Sequence, residues 1–141
     1  MSRHYLYLAE KENIEFAVSG KLTEKMPLEM VDITSLMGNV LQNAMEAAAK
    51  ASVPKIRVEL VEHKREIFIV VSNSIMDKIS AKNGLLLTSK KDKENHGFGM
   101  KNIAATVEKY HGEYYTDFIE ENGEGMFKIS IAIPRENKAC R

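Results

Sequence analysis

The 141 residues carry twenty Lys and Arg against twenty Asp and Glu, and this zero formal charge excludes the electrostatic footprint of a nucleic-acid or anionic-membrane binder. With 44% hydrophobic and 28% charged residues, the composition is that of one globular domain able to bury its own core without disulfides or a structural metal. The only cysteine, Cys140, lies in a charged tail, so there is no disulfide framework and no paired thiol site, which fits a reducing, cytosolic compartment.

The polar opening, residues 1–12, reads as a linker and not as a secretion signal. Residues 13–18 (NIEFAV) alternate Ile14, Phe16 and Val18 with polar neighbours, the period of a half-buried strand. Asp32 then reads as the N-cap of a long helix running to Lys50 without a proline. Two strand-like runs follow: KIRVELV, with Ile56, Val58 and Leu60 on one face, and the more apolar EIFIVVS. The turn at His63, Lys64 and Arg65 joins them into a hairpin that reaches a central strand. No apolar run approaches the roughly twenty residues of a spanning helix.

Residues 76–96 are polar and lysine-rich around a short LLL, a long irregular stretch of the kind that forms a lid. Gly97-Phe98-Gly99 then reads as the start of a second helix, in which Met100, Ile103, Ala104 and Val107 keep helical spacing and Gly112 provides the stop. The chain closes on a second hairpin, EYYTDFI and MFKISIAIP, with Phe127, Ile129, Ile131 and Ile133 alternating, followed by a tail at 136–141. Single helices between paired strands indicate an α+β, two-layer sandwich: a mixed or antiparallel sheet with helices packed on one face. Met26, Met30, Met37, Met45 and Met100 read as core filler.

Three features carry candidate chemistry. On a wheel of the first long helix, Ile33, Leu36, Met37, Val40, Leu41, Ala44, Ala47 and Ala48 form an apolar arc, bordered by a polar stripe of Asn39, Asn43, Glu46 and Lys50. That stripe is either a solvated flank or the edge of a cleft, and an asparagine there can ligate a cation through oxygen and donate through nitrogen. His96-Gly97-Phe98-Gly99 at a helix start offers backbone N–H groups to an anion, with Thr88, Ser89, Lys90, Lys91, Lys93 and Lys101 nearby. Neither GxGxxG after a strand nor a P-loop occurs, so Rossmann and P-loop readings fail. Finally, Asn73 ends the central strand, as either a plain turn residue or a base-pairing amide. His63, His96 and His111 have no metal-ligand spacing.

In combination these segments resemble a known family. GNVLQNAMEAA resembles the N box, and HGFGMKNI the later glycine box, of the GHKL superfamily of Bergerat-type ATP-binding domains. VSNS, and LLLTSKK before HGFGM, are most similar to the catalytic domain of sensor histidine kinases of the peptide-quorum-sensing type. The resemblance covers residues 14–134 and implies a catalytic domain at 13–135 that binds ATP with Mg²⁺ and donates the γ-phosphoryl group to a histidine on a separate dimerisation domain. The implied nucleotide site comprises Asn39, Asn43, Glu46, Ala47, Asn73, Thr88, Ser89, Lys90, Lys91, Gly97, Phe98, Gly99 and Met100, with Asn43 meeting the Mg²⁺.

Asn39 stands where hydrolases and anti-sigma serine kinases of the superfamily commonly place a basic Glu, so rapid ATP hydrolysis is not expected. Asn73 replaces the usual adenine-binding Asp, and Ser74, Ile75 and Met76 replace the glycines after it. His4 lacks the long amphipathic helix of a phosphoacceptor, which makes the chain a kinase domain inactive without its partner. The implied partners are that phosphoacceptor domain and, downstream, a response regulator; no nucleic acid is expected, and membrane attachment would come only through an upstream region of a cytoplasmic sensor portion. The rival readings are a stand-alone serine kinase of the anti-sigma type, and a regulatory module that binds nucleotide or protein without catalysis.

Overall fold

The computed structural model describes residues 2–76, 90–121 and 123–135. The elements in chain order are α1 (Ser2–Lys11), β1 (Glu15–Ser19), α2 (Met30–Ala48), β2 (Lys55–Glu62), β3 (Glu66–Ser74), α3 (Lys90–Lys109), β4 (Glu113–Glu121) and β5 (Glu124–Pro134). The five strands form one sheet in the order β1-β2-β3-β5-β4, with β1 parallel to β2 and every other pair antiparallel. The expected α+β class, mixed sheet and central third strand are all present.

Register and alternation decide which face is covered. Ile67, Ile69 and Val71 of β3 stand opposite Ile133, Ile131 and Ile129 of β5, and Val58 opposite Val71, so one face of the sheet is a continuous aliphatic layer. The apolar arc of α2 is buried at Ile33, Leu36, Met37, Val40, Leu41, Ala44 and Ala48, and joins that layer with Ile103 and Val107 of α3 in a single core. Burying such side chains contributes about 1.5–3 kcal/mol each, so the period-2 and period-3.6 patterns have one solution: helices on that face. The edge strand β1 departs from its expected half-burial, because it has a neighbour on one side only and Val18 remains 52% exposed.

Several element boundaries differ from expectation. The opening residues, expected as a linker, are helical over Ser2–Lys11. Asn13 ends α1 in the left-handed region (φ 58°), with its N–H on Glu10 O and the Ile14 N–H on Ala9 O, a Schellman stop that places Ala9 and Ile14 in the core. The N-cap of α2 is Glu29, not Asp32; Asp32 sits inside the first turn and its carboxylate is used elsewhere. At the end of α3 it is His111 (φ 59°), not Gly112, that takes the left-handed position. Gly112 is required for another reason, since a Cβ there would lie 2.3 Å from Ala132 O. Met30, expected in the core, is 78% exposed because it precedes the buried arc by one turn.

The largest difference concerns the glycine box. α3 begins at Lys90, so Gly97, Phe98 and Gly99 lie inside a helix and not at its start, and residues 90–96 of the expected lid are helical. The rest of that lid, 77–89, including Thr88 and Ser89, lies outside the described residues, as does the tail.

Candidate functional site

The candidate site draws on α2, β3 and α3, with α2 in contact with both the central strand β3 and α3. Asn39 and Asn43, one turn apart, are half-buried on the flank of α2, between the buried arc and the solvent. Glu46 is exposed and accepts a 2.9 Å hydrogen bond from Gln42 Nε2, while Ala47 is half-buried at the rim of the core. The stripe therefore splits: its asparagines border the interior, and Glu46 and Lys50 face solvent.

Asn73 is 3% exposed and faces the helix-covered side of the sheet, in line with Ile67, Ile69 and Val71. Its Nδ2 donates 3.0 Å to Ser74 O, so the amide orientation leaves Oδ1 as the acceptor. That is the polarity an adenine amino group requires. Ser74, on the opposite face, is also buried; its Oγ accepts from the Lys55 amide at 2.8 Å. Ser74 and Ile75, with residues 51–53 and 123–125, line a cleft of about 180 Å³ that includes neither asparagine of the stripe.

Lys90 and Lys91 occupy the first turn of α3. In a helix each interior N–H is bonded one turn back, so the amides of residues 97–100 are already committed in this conformation. Met100 packs its side chain partly against the core.

Two polar clusters had no signal in the sequence. Asp32 Oδ2 accepts from Lys109 Nζ at 2.8 Å and from the Tyr110 hydroxyl, and Tyr110 Oη accepts from the Glu29 amide at 3.1 Å. Lys109 first, then Tyr110, hold the Asp32 carboxyl below its usual range, while burial, with the bond to Asp32, pushes the Tyr110 phenol up. At the same end of the sheet Glu62 accepts from Thr23 Oγ1 at 2.7 Å, from the Thr23 and Glu24 amides at 3.1 and 3.3 Å, and from the Arg135 guanidinium. The Thr23 hydroxyl, with Arg135 and the two amides, lowers Glu62 to about 2. Both clusters join residues tens of positions apart, which no local spacing encodes.

No group of three or more His, Cys, Asp or Glu that could hold a metal ion occurs among the described residues. Asn43 supplies one neutral oxygen. That donor set suits Mg²⁺ carried in on phosphate oxygens and water, and does not suit an ion held by protein alone. No helix among the described residues is long and apolar enough to cross a membrane.

The fold and the ordered motifs define a class, and comparison with known proteins agrees. The model of the GHKL domain family matches residues 28–134, and the chain belongs to that family. Among solved structures, it is similar to the catalytic domain of histidine kinase ThkA in a nucleotide-free form, with a TM-score of 0.63 and 19% identity over 96% of this chain and 90% of that one. It is also similar to the histidine kinase domain of a blue-light activated histidine kinase from Erythrobacter litoralis, at a TM-score of 0.61 and 14% identity, covering 94% of this chain and 58% of that one. At these identities the likeness is one of fold. A comparison by sequence with curated proteins finds no match.

Proposed function

We propose that this GHKL domain is the ATP-binding catalytic domain of a sensor histidine kinase, which binds Mg·ATP between α2 and α3 and transfers the γ-phosphoryl group to a histidine on a separate dimerisation domain. The observation that carries this reading is Asn73, buried at the end of the central strand with its acceptor oxygen oriented by Ser74, on the same side of the sheet as the asparagine stripe of α2. Asn73 Oδ1 accepts from the adenine amino group. Asn43 meets the metal and phosphates through its oxygen, and Asn39, one turn earlier, extends the polar flank without offering a base.

Mg²⁺, when bound, supplies neutralisation of phosphate charge. Catalysis by the chain is then positioning: the partner imidazole attacks the γ-phosphorus, the bond to the β,γ-bridging oxygen breaks, and ADP leaves. Lys90, Lys91, Thr88 and Ser89 stabilise the phosphates electrostatically. The amides of residues 97–100 join them only when the first turns of α3 open, since they are bonded within the helix as it stands.

The parent would keep this domain in the cytoplasm, beside a phosphoacceptor helix pair, and pass the phosphoryl group to a response regulator. Two measurements test the reading. Thermal unfolding with ADP or ATP, with and without Mg²⁺, should show stabilisation of about 2.7 kcal/mol at a hundred times Kd. Incubation of the domain with γ-labelled ATP and a separately prepared phosphoacceptor domain should then label histidine. No shift with any nucleotide removes the ATP reading, and binding without transfer favours a regulatory nucleotide-binding module.

A further inference from the structure

The bonds around Asp32 tie the first turn of α2 to the last turn of α3. Lys109 Nζ and the Tyr110 hydroxyl both donate to Asp32 Oδ2, and Tyr110 Oη accepts from the amide of Glu29, the N-cap of α2. Each charge already suits its place, Asp32 at a helix start and Lys109 at a helix end. The phenol adds what charge alone does not: a fixed direction, with one donor and one acceptor bond from a half-buried ring.

The position of this latch along the two helices gives it reach. Asn43 lies eleven residues after Asp32 in α2, and Phe98 lies eleven residues before Lys109 in α3. At a rise of about 1.5 Å per residue both stand roughly 16 Å from the latch. Antiparallel packing from the latch onward would bring the glycine box level with Asn43. Ile33, Leu36, Met37 and Val40 of α2 share the core with Ile103 and Val107 of α3 between these two ends.

We propose that Asp32, Lys109 and Tyr110 are positioning residues for the nucleotide site: their latch holds α3 at the register in which its glycine box faces Asn43, and cutting it weakens nucleotide binding in a domain that remains folded. This rests on the ATP-binding reading above and adds to it a control point remote from the ligand. Stiff helices carry the change, because loss of the fixed end lets α3 slide or rotate on the aliphatic layer, where core contacts set distance better than register.

The test is calorimetric titration of ADP with Mg²⁺ into the folded protein and five variants. Wild type binds, and Tyr110→Phe and Asp32→Asn each bind about fivefold more weakly, the size of one net hydrogen bond. The double variant is no weaker than either alone, since both cut one latch, and Lys109→Arg retains wild-type affinity. Val58→Ala, which lowers the melting temperature from the sheet core, leaves affinity unchanged. Tyr110→Phe, which removes a single hydroxyl, decides the matter where Asp32→Asn does not fold. Wild-type binding with both latch variants within about twofold of it would overturn the proposal alone, as would equal weakening by Val58→Ala. Absence of binding by wild type overturns the ATP reading and the latch with it, so the two failures are distinguishable.

Discussion

At the scale of single residues, the close approaches are set by backbone. Gly20 has φ of +85°, and a Cβ there would lie 2.1 Å from Leu60 O, so an alanine meets both an unfavourable conformation and a carbonyl that cannot move aside. Gly20→Ala should cost about 2–4 kcal/mol, combining a left-handed penalty with overpacking. Urea unfolding would show this as a lower midpoint at unchanged slope, and a midpoint equal to wild type would refute it.

Glu62 makes a pH prediction of definite sign. Its folded pKa of about 2 lies below the ordinary 4.5, so the unfolded chain binds the proton more readily. The stability it contributes is complete above pH 4.5 and is lost as pH falls through about 2. Glu62→Gln should flatten the stability profile across that window, as read from melting temperatures at stepped pH. A profile as steep as that of wild type would assign the acid sensitivity to other carboxylates.

At the scale of elements, α2 and α3 differ in how they are maintained. α2 buries a complete arc, and Asn43 lies on its flank outside that arc. Asn43→Ala should therefore change stability by no more than about 0.5 kcal/mol while abolishing Mg-dependent nucleotide binding; circular dichroism with calorimetric titration separates the two effects. α3 carries two glycines in its interior, each costing about 1 kcal/mol relative to alanine in a helix. Gly97→Ala should then stabilise the helical form by about that amount, seen as slower amide exchange over residues 90–99. Faster exchange would mean that these residues need a glycine-only conformation, as a helix-start phosphate loop would. That contrast distinguishes the interior placement of the glycine box from the one the sequence suggested.

At the scale of the whole molecule, the proposed ATP-binding function carries one expectation about turnover. Asn39 has no basicity near neutral pH, so in the proposed ATP site water beside the γ-phosphate would not be activated from that position. ATP hydrolysis by the domain should stay below about one turnover per second, the low end of ordinary enzymes. A coupled assay for released ADP or phosphate checks this, and rapid turnover would require a base other than Asn39.

What the sequence by itself determined was whatever is local and periodic. Ile56, Val58 and Leu60, the alternation from Phe127 to Ile133, and the arc from Ile33 to Ala48 each have a repeat that only one secondary structure can bury, and the ordered boxes, read by their resemblance to a family, agree with the family model over residues 28–134. Only the tertiary structure decided the rest. Helical α1 follows from docking Ala9 and Ile14 into the core, a contact invisible in a polar segment. Asp32 looks like a cap because caps and first-turn acids share residue types; what removes it from that role is a lysine and a tyrosine 77 and 78 residues away. The latch at the end of α3 is likewise set by partners distant along the chain, since residue spacing records which side chains share a face and not what that face will meet.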